Sequence, residues 1–535
     1  MKKRTMLLMT ALLLSSCISV IAQDGRAWGQ WDKWGEQPDS TYLNPVIPSD
    51  YSDLDCIRVG DDYYAISSTM QFAPGMTLLH STDLVNWEIC TNIVADLTQI
   101  GPDLNWDRMN RSARGVWAGT LRHHNDRFYL FFGTPDEGYF MTSAPKAEGP
   151  WQPLTCLLDE AGWDDCTVAW DEKGNACFVG THFADGYKTY LFDMAPDGTS
   201  IDKSSARLIN SGDHREANKL IKVGKWWYLV FSEHKDGIGR YVLAKRSRRM
   251  KGPYKEERQL ALTSWEAHEP NQGGIVTGKD GKWYFLTHHG SGDWSGRIVS
   301  LLPVTWIDEW PIIGEVIDDE RMGKIGRMQW QASMPSLGGE KLSIQRSDDF
   351  DAATLGAQWQ WNYQPRADKY SLTERPGWMR LKAFRPIEPN RLLKAGNTLT
   401  QRTFQSRSSV VTVKIDISSM ADGQRAGLCH FSAASSAVGV VQEGGQRYME
   451  WRHNDEVKRA DPVGQNSVWL QSRWGLDGMS TYYYSFDGDT FIPFGAPYRL
   501  QWGNYRGDRI GIYSFNDLSD EGYIDVDYLH YRLEK

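Results

Sequence analysis

A short phrase recurs five times along this chain and restricts its fold more than any other feature. Each copy is a turn built from Gly, Asp or Asn followed by an aromatic strand. The copies are Val59-Gly60-Asp61-Asp62-Tyr63-Tyr64, Asn125-Asp126-Arg127-Phe128-Tyr129-Leu130, Lys173-Gly174-Asn175-Ala176-Cys177-Phe178, Val223-Gly224-Lys225-Trp226-Trp227-Tyr228-Leu229 and Lys279-Asp280-Gly281-Lys282-Trp283-Tyr284-Phe285. The turn residues Gly60, Asp126, Gly174, Gly224 and Gly281 stand 48 to 66 positions apart. A tight turn that accepts positive φ between β-formers is a hairpin signal. Several hairpins lead into a second phrase, a strand that enters a polar bend and ends on an aromatic, at residues 80–87, 143–151 and 251–254. All-β units of about 50 residues match one four-stranded blade each. Five of them predict a five-bladed β-propeller, and no long stretch carries the helical period that would argue otherwise.

The repeats stop near Gly314, and from Asp348 the texture changes to short alternating strands. Trp378-Met379-Arg380-Leu381, Ser409-Val410-Val411-Thr412-Val413, Tyr482-Tyr483-Tyr484-Ser485 and Ile510-Gly511-Ile512-Tyr513 are examples, and with Gly/Asp turns between them they predict a β-sandwich. Pro335-Ser336-Leu337-Gly338-Gly339 is a turn-rich joint. The division is therefore 23–340 for the propeller and 341–535 for the sandwich, with a leading arm whose Trp28, Trp31 and Trp34 are expected to pack on the propeller.

Residues 1–22 have the form of an export signal: Lys2, Lys3 and Arg4, then an apolar run, with cleavage after Ala22. Leu14-Ser15-Ser16-Cys17 supports a rival reading, a lipoprotein box that leaves Cys17 lipidated. Either way the product is periplasmic or extracellular, as a free protein or as an outer-membrane lipoprotein. No later stretch approaches the roughly 20 consecutive apolar residues that span a bilayer. A net charge of −9 argues against nucleic acid and anionic membrane, both of which select basic patches. The 24 Trp and 24 Tyr suit a protein that stacks on sugar rings, although β cores use aromatics too. The cysteines form no CxxC pair or zinc pattern, and oligomeric state is left open.

Inner strands of a propeller converge on a central channel, where side chains from different blades meet. Acidic residues recur at those strand entrances: Asp53 in Asp50-Tyr51-Ser52-Asp53, Asp164 and Asp165 in Trp163-Asp164-Asp165-Cys166, and Glu216 in His214-Arg215-Glu216-Ala217. One alone reads as a turn residue. Three at matching repeat positions, where β propensity would not place them, point to shared chemistry.

These residues carry a resemblance. Asn44-Pro45-Val46-Ile47-Pro48-Ser49-Asp50-Tyr51-Ser52-Asp53, together with Gly115-Val116-Trp117-Ala118, Asn271-Gln272-Gly273-Gly274, and Gly296-Arg297 leading to Leu302-Pro303-Val304-Thr305-Trp306, resembles glycoside hydrolase family 43. The resemblance implies a C-terminal concanavalin A-like sandwich of the β-xylosidase type. It implies that Asp53 is the base, Asp165 the modulator with Asp164 second in line, and Glu216 the acid. It also implies that Trp117, Ala118, Phe72 and Arg297 line the sugar site, Arg297 biasing nearby carboxylates toward ionisation. The activity implied is exo-acting and inverting, releasing α-L-arabinofuranose or β-D-xylose from plant cell-wall polysaccharide or oligosaccharide. A water must fit between a carboxylate base and a carboxylic acid about 6.5–9.5 Å apart, and Glu216 must hold a proton, for which the charge of Asp165 is suited.

Three departures stand out. Ser52 and Leu54 flank Asp53 where the family has Pro. Met70 and Phe72 occupy a wall that usually carries larger aromatics, which favours arabinofuranose or dual activity. Asn271 replaces a His that binds a central calcium ion in many members, so no cofactor is required, no metal ligand is assigned, and His268 would substitute only in a rearranged loop. The rival functions are a non-catalytic glycan-binding propeller, against which all three carboxylates stand, and the retaining sucrose- and fructan-cleaving group, whose Asn-Asp-Pro-Asn and Arg-Asp-Pro signatures are absent.

Overall fold

The computed structural model describes residues 32–264, 269–290, 292–338, 340–454 and 456–534. The stretch expected to be an export leader, with Cys17, and also Trp28, Trp31 and His268 lie outside the described residues. Five four-stranded antiparallel sheets follow one another in chain order, one for each recurring phrase. The first runs through Asp55–Val59, Asp62–Ser67, Gly75–Ser81 and Trp87–Val94. Every recurring turn joins the first two strands of its sheet. Asn125 and Asp126, at φ 47° and 55°, supply the paired left-handed residues of a two-residue hairpin, and Gly224 adopts φ 56°.

The first strands of the sheets, Asp55–Val59, Gly119–His124, Trp163–Trp170, Glu216–Val223 and Gly273–Thr277, pack side by side in a closed ring. The leading arm laces this ring shut. Thr41–Leu43 pairs with Gln331–Ser333 beyond the last sheet, and Asn44 Nδ2 donates to the Leu301 and Gln329 carbonyls at 2.9 and 2.8 Å. Trp34 of the arm is buried.

Beyond the joint, two sheets face one another with apolar inner rows, among them Val411, Val413, Leu428, Val438, Leu470, Ile512 and Val526. Buried apolar residues continue without a break from the first propeller sheet into the sandwich. One edge of the sandwich is not its own: Phe72–Ala73, from a propeller loop, pairs with Gln360–Asn362. This covers an edge whose unpaired backbone groups would otherwise recruit another strand. Among the described residues no helix is long and apolar enough to cross a membrane, and Cys56, Cys90, Cys156, Cys166, Cys177 and Cys429 are free thiols.

Candidate active site

The strand entrances depart from regular β geometry where the acidic residues stand. Asp53 sits at φ 58°, Asp165 at 41° and Ala217, next to Glu216, at 65°. Non-glycine residues rarely hold such angles, and they cluster at functional sites. Register shifts fall between Asp164 and Thr167 and between Glu216 and Lys219, the same place in the third and fourth sheets. In a regular strand neighbours face opposite sides. The bulge re-aims the chain, so Asp164 and Asp165 both line one cavity.

That cavity, about 310 Å³, is lined by Asp53, Asp165, Glu216, Trp117, Ala118 and Arg297. Six of the seven residues named from sequence thus meet. Phe72 does not. It is fully buried against Phe431, Cys429 and Tyr513 of the sandwich, with the Arg509 guanidinium 3.6 Å from its ring centroid. Phe72 belongs to the edge strand that leaves the propeller, and the expectation of a wall residue there is corrected. Met70, at φ 53° and held by Val116 through backbone hydrogen bonds of 3.0 and 2.9 Å, is the wall residue instead.

Two groups of charges face each other. Arg297 Nη1 donates to Asp53 Oδ1 at 3.0 Å. His288 lies beneath them, its Nε2 3.8 Å from the same oxygen. Burial pushes its pKa down to about 3, and its Nδ1, 2.7 Å from the His289 carbonyl, carries the proton. His288 is thus a neutral neighbour of Asp53.

On the other side the carboxyl oxygens of Asp164, Asp165 and Glu216 all lie within 4.8 Å of one another. Asp165 accepts from the Ala217 N–H at 2.9 Å and from Gln272 Nε2 at 2.7 Å. Burial, then the charges of Glu216 and Asp53, push it up to about 7 against the pull of the Ala217 N–H and Lys219. Burial and the charge of Asp165 push Asp164 well above the usual range, and its Oδ1 has no hydrogen-bond partner. This crowding keeps a proton among the three groups. Arg240 contacts Glu216 Oε1 and opposes that effect. A cation held by the trio would displace that proton. Asn271 lines the cavity and offers one neutral oxygen donor, where calcium takes six to eight oxygen ligands with waters among them.

Because Asp165 binds its proton more tightly folded than the ordinary value of 3.8 allows unfolded, its contribution favours folding below pH 4. That contribution is lost as pH rises through about 7. Asp165→Asn abolishes the titration but leaves one of the two N–H donors facing an amide nitrogen, so the variant's melting temperature should rise relative to that of wild type between pH 5 and pH 8, whatever the offset between them. Thermal melts across that range decide; parallel curves would show that Asp165 carries no such shift.

Sequence reasoning missed the far wall. Tyr505 enters the cavity from the sandwich, its ring 5.8 Å from Trp117 and 5.3 Å from the Arg297 guanidinium. Phe183, Tyr187, Arg240 and Arg114 also line the cavity. No motif marks these positions; Gln272 alone stood inside one.

Residues 42–311 match the model of glycosyl hydrolases family 43, and residues 347–532 match the β-xylosidase C-terminal concanavalin A-like domain. A protein of Formosa agariphila described as a β-xylosidase is 31% identical, covering 94% of this chain and 92% of its own. One of Bacteroides ovatus described as a non-reducing end α-L-arabinofuranosidase is 28% identical over 64% of this chain and 65% of its own length. A solved structure described as a bifunctional GH43-CE protein of Bacteroides eggerthii superposes with a TM-score of 0.80 at 28% identity, covering 92% of this chain; the chain spans 64% of that longer protein.

Proposed function

The chain belongs to glycosyl hydrolase family 43 and is a glycoside hydrolase; from that premise we propose that it removes terminal pentose from xylan-type polysaccharide or oligosaccharide with inversion of configuration. One observation carries the reading. Asp53, fixed by Arg297, and the proton-holding cluster of Asp164, Asp165 and Glu216 line one small cavity. Asp53 deprotonates water. Glu216 gives a proton to the departing glycosidic oxygen, with Asp164 and Asp165 crowded beside it in the proton-holding cluster. Trp117, Met70 and Tyr505 offer apolar faces to the sugar, and a cavity near the small end of the ligand-site range suits one residue at a chain end.

Burial of Phe72 removes half the ground for favouring arabinofuranose. A relative that matches along nearly the whole chain is described as a β-xylosidase, so β-D-xylose is placed first and α-L-arabinofuranose second. Proton NMR during early turnover of p-nitrophenyl β-D-xyloside and α-L-arabinofuranoside tests substrate and stereochemistry together. The expected result is faster release from the xyloside, with α-xylose as the first-formed anomer. A first product that keeps the substrate's configuration overturns inversion, and no turnover of either pentoside overturns the substrate class.

A further inference from the structure

Asp50 lies three residues ahead of Asp53, is buried, and lines no part of the cavity. Its two carboxylate oxygens accept from two distant pieces of backbone. Oδ1 takes the N–H of Arg297 at 3.1 Å, and Oδ2 takes the N–H of Gly507, in the sandwich, also at 3.1 Å. One side chain therefore ties together the segment bearing the base, the arginine that holds it, and the loop that carries Tyr505.

The packing around this junction is close. A Cβ on Gly296, at φ 84°, would come 2.3 Å from Asp50, and a Cβ on Gly507 would come 2.5 Å from the Gly296 nitrogen. Asp508 N–H also donates to the Trp294 carbonyl at 2.7 Å. Two converging N–H donors need two acceptor oxygens, which a carboxylate has and a carboxamide lacks. Burying that carboxylate is costly without partners. Here Arg402, whose Nε donates to the Asp50 carbonyl at 2.6 Å, and the buried Arg506 and Arg509 supply the opposite charge.

We propose that Asp50 is a positioning residue: its carboxylate sets Arg297 and Tyr505 relative to Asp53, so that the sandwich takes part in aligning the catalytic base. This rests on the reading of Arg297 and Asp53 as one half of the catalytic pair. It acts through Arg297, and a displacement of about 1 Å in such a site costs on the order of 100-fold.

A double-mutant cycle on full-length protein tests it, with kcat/KM on whichever aryl pentoside is turned over and a thermal melt for each variant. Asp50→Asn should lower kcat/KM about 10- to 100-fold in the wild-type background, but by less than about threefold in Arg297→Ala, because coupled residues are not additive. Gly507→Ala, which wedges the loop off Gly296 and leaves every charge in place, should show the same dependence on Arg297 and serves where Asp50→Asn fails to fold. Equal factors in both backgrounds are the mark of a merely structural residue and overturn the proposal, as does near wild-type activity for Asp50→Asn or for Gly507→Ala. If Arg297→Ala itself keeps full activity, the reading of Arg297 and Asp53 fails, and the proposal with it.

Discussion

Asp53→Ala is expected to lose activity by about 10²–10⁴-fold, and by the same factor whatever the leaving group. A base that activates water acts on the nucleophile, so its removal is felt whether the departing group is a dinitrophenolate or a sugar alkoxide. The site offers no substitute. His288, its Nε2 3.8 Å from Asp53 Oδ1, is too weak a base to take over, because burial pushes its pKa down to about 3. Asp165 lies across the cavity with both oxygens engaged. Asp53→Asn is the paired control: it keeps the volume and an acceptor for Arg297 Nη1, so folding should survive while general-base power does not. The measurement is kcat/KM for both variants on a dinitrophenyl pentoside and on an oligosaccharide, with circular dichroism to verify the fold. A loss confined to the oligosaccharide would mean that Asp53 is the acid.

Much of this arrangement is legible in sequence because a propeller blade is a local structure. Each meander joins neighbours, so turns such as Asn125-Asp126 and Lys173-Gly174 mark it directly, and an acidic residue before an apolar strand stands out. What escaped depends on distance or on irregularity. Gly507 and Asp50 meet across 457 positions, and nothing in the local pattern at Tyr505 points to a cavity formed by another domain. Phe72 and Met70 are two residues apart and read as one wall. The chain instead leaves the propeller at Phe72 to become an edge strand of the sandwich. The resemblance places Asp165 ahead of Asp164, yet both line the cavity, because strand alternation sends neighbours to opposite faces and only the register shift brings both inward. Arg240 sits within a regular strand, Gly239–Ser247, and only the tertiary structure brings it to Glu216.

Glu216→Ala should separate the second role from the first. If Glu216 protonates the departing oxygen, the help it gives scales with how poorly that oxygen leaves. A sugar alkoxide needs the proton, so kcat/KM on an oligosaccharide should fall by roughly 10²–10⁴-fold. Dinitrophenolate leaves unaided, so the loss on a dinitrophenyl pentoside should be far smaller. The surroundings make this a demanding test. Arg240 loses its ion-pair partner in the variant, and a cation beside the departing oxygen would stabilise the alkoxide more than the dinitrophenolate, narrowing the contrast between the two substrates. The carboxyls of Asp164 and Asp165 remain within a few ångströms of where Glu216 stood, and their protons are the available replacements. Should Asp165 relay a proton, the oligosaccharide loss would shrink in Glu216→Ala and return in full when Asp165→Asn is added; should Asp164, it would return with Asp164→Asn instead. Equal losses on both substrates would show that Glu216 is not the acid, and a leaving-group-dependent loss in Asp53→Ala would show that the two roles are exchanged.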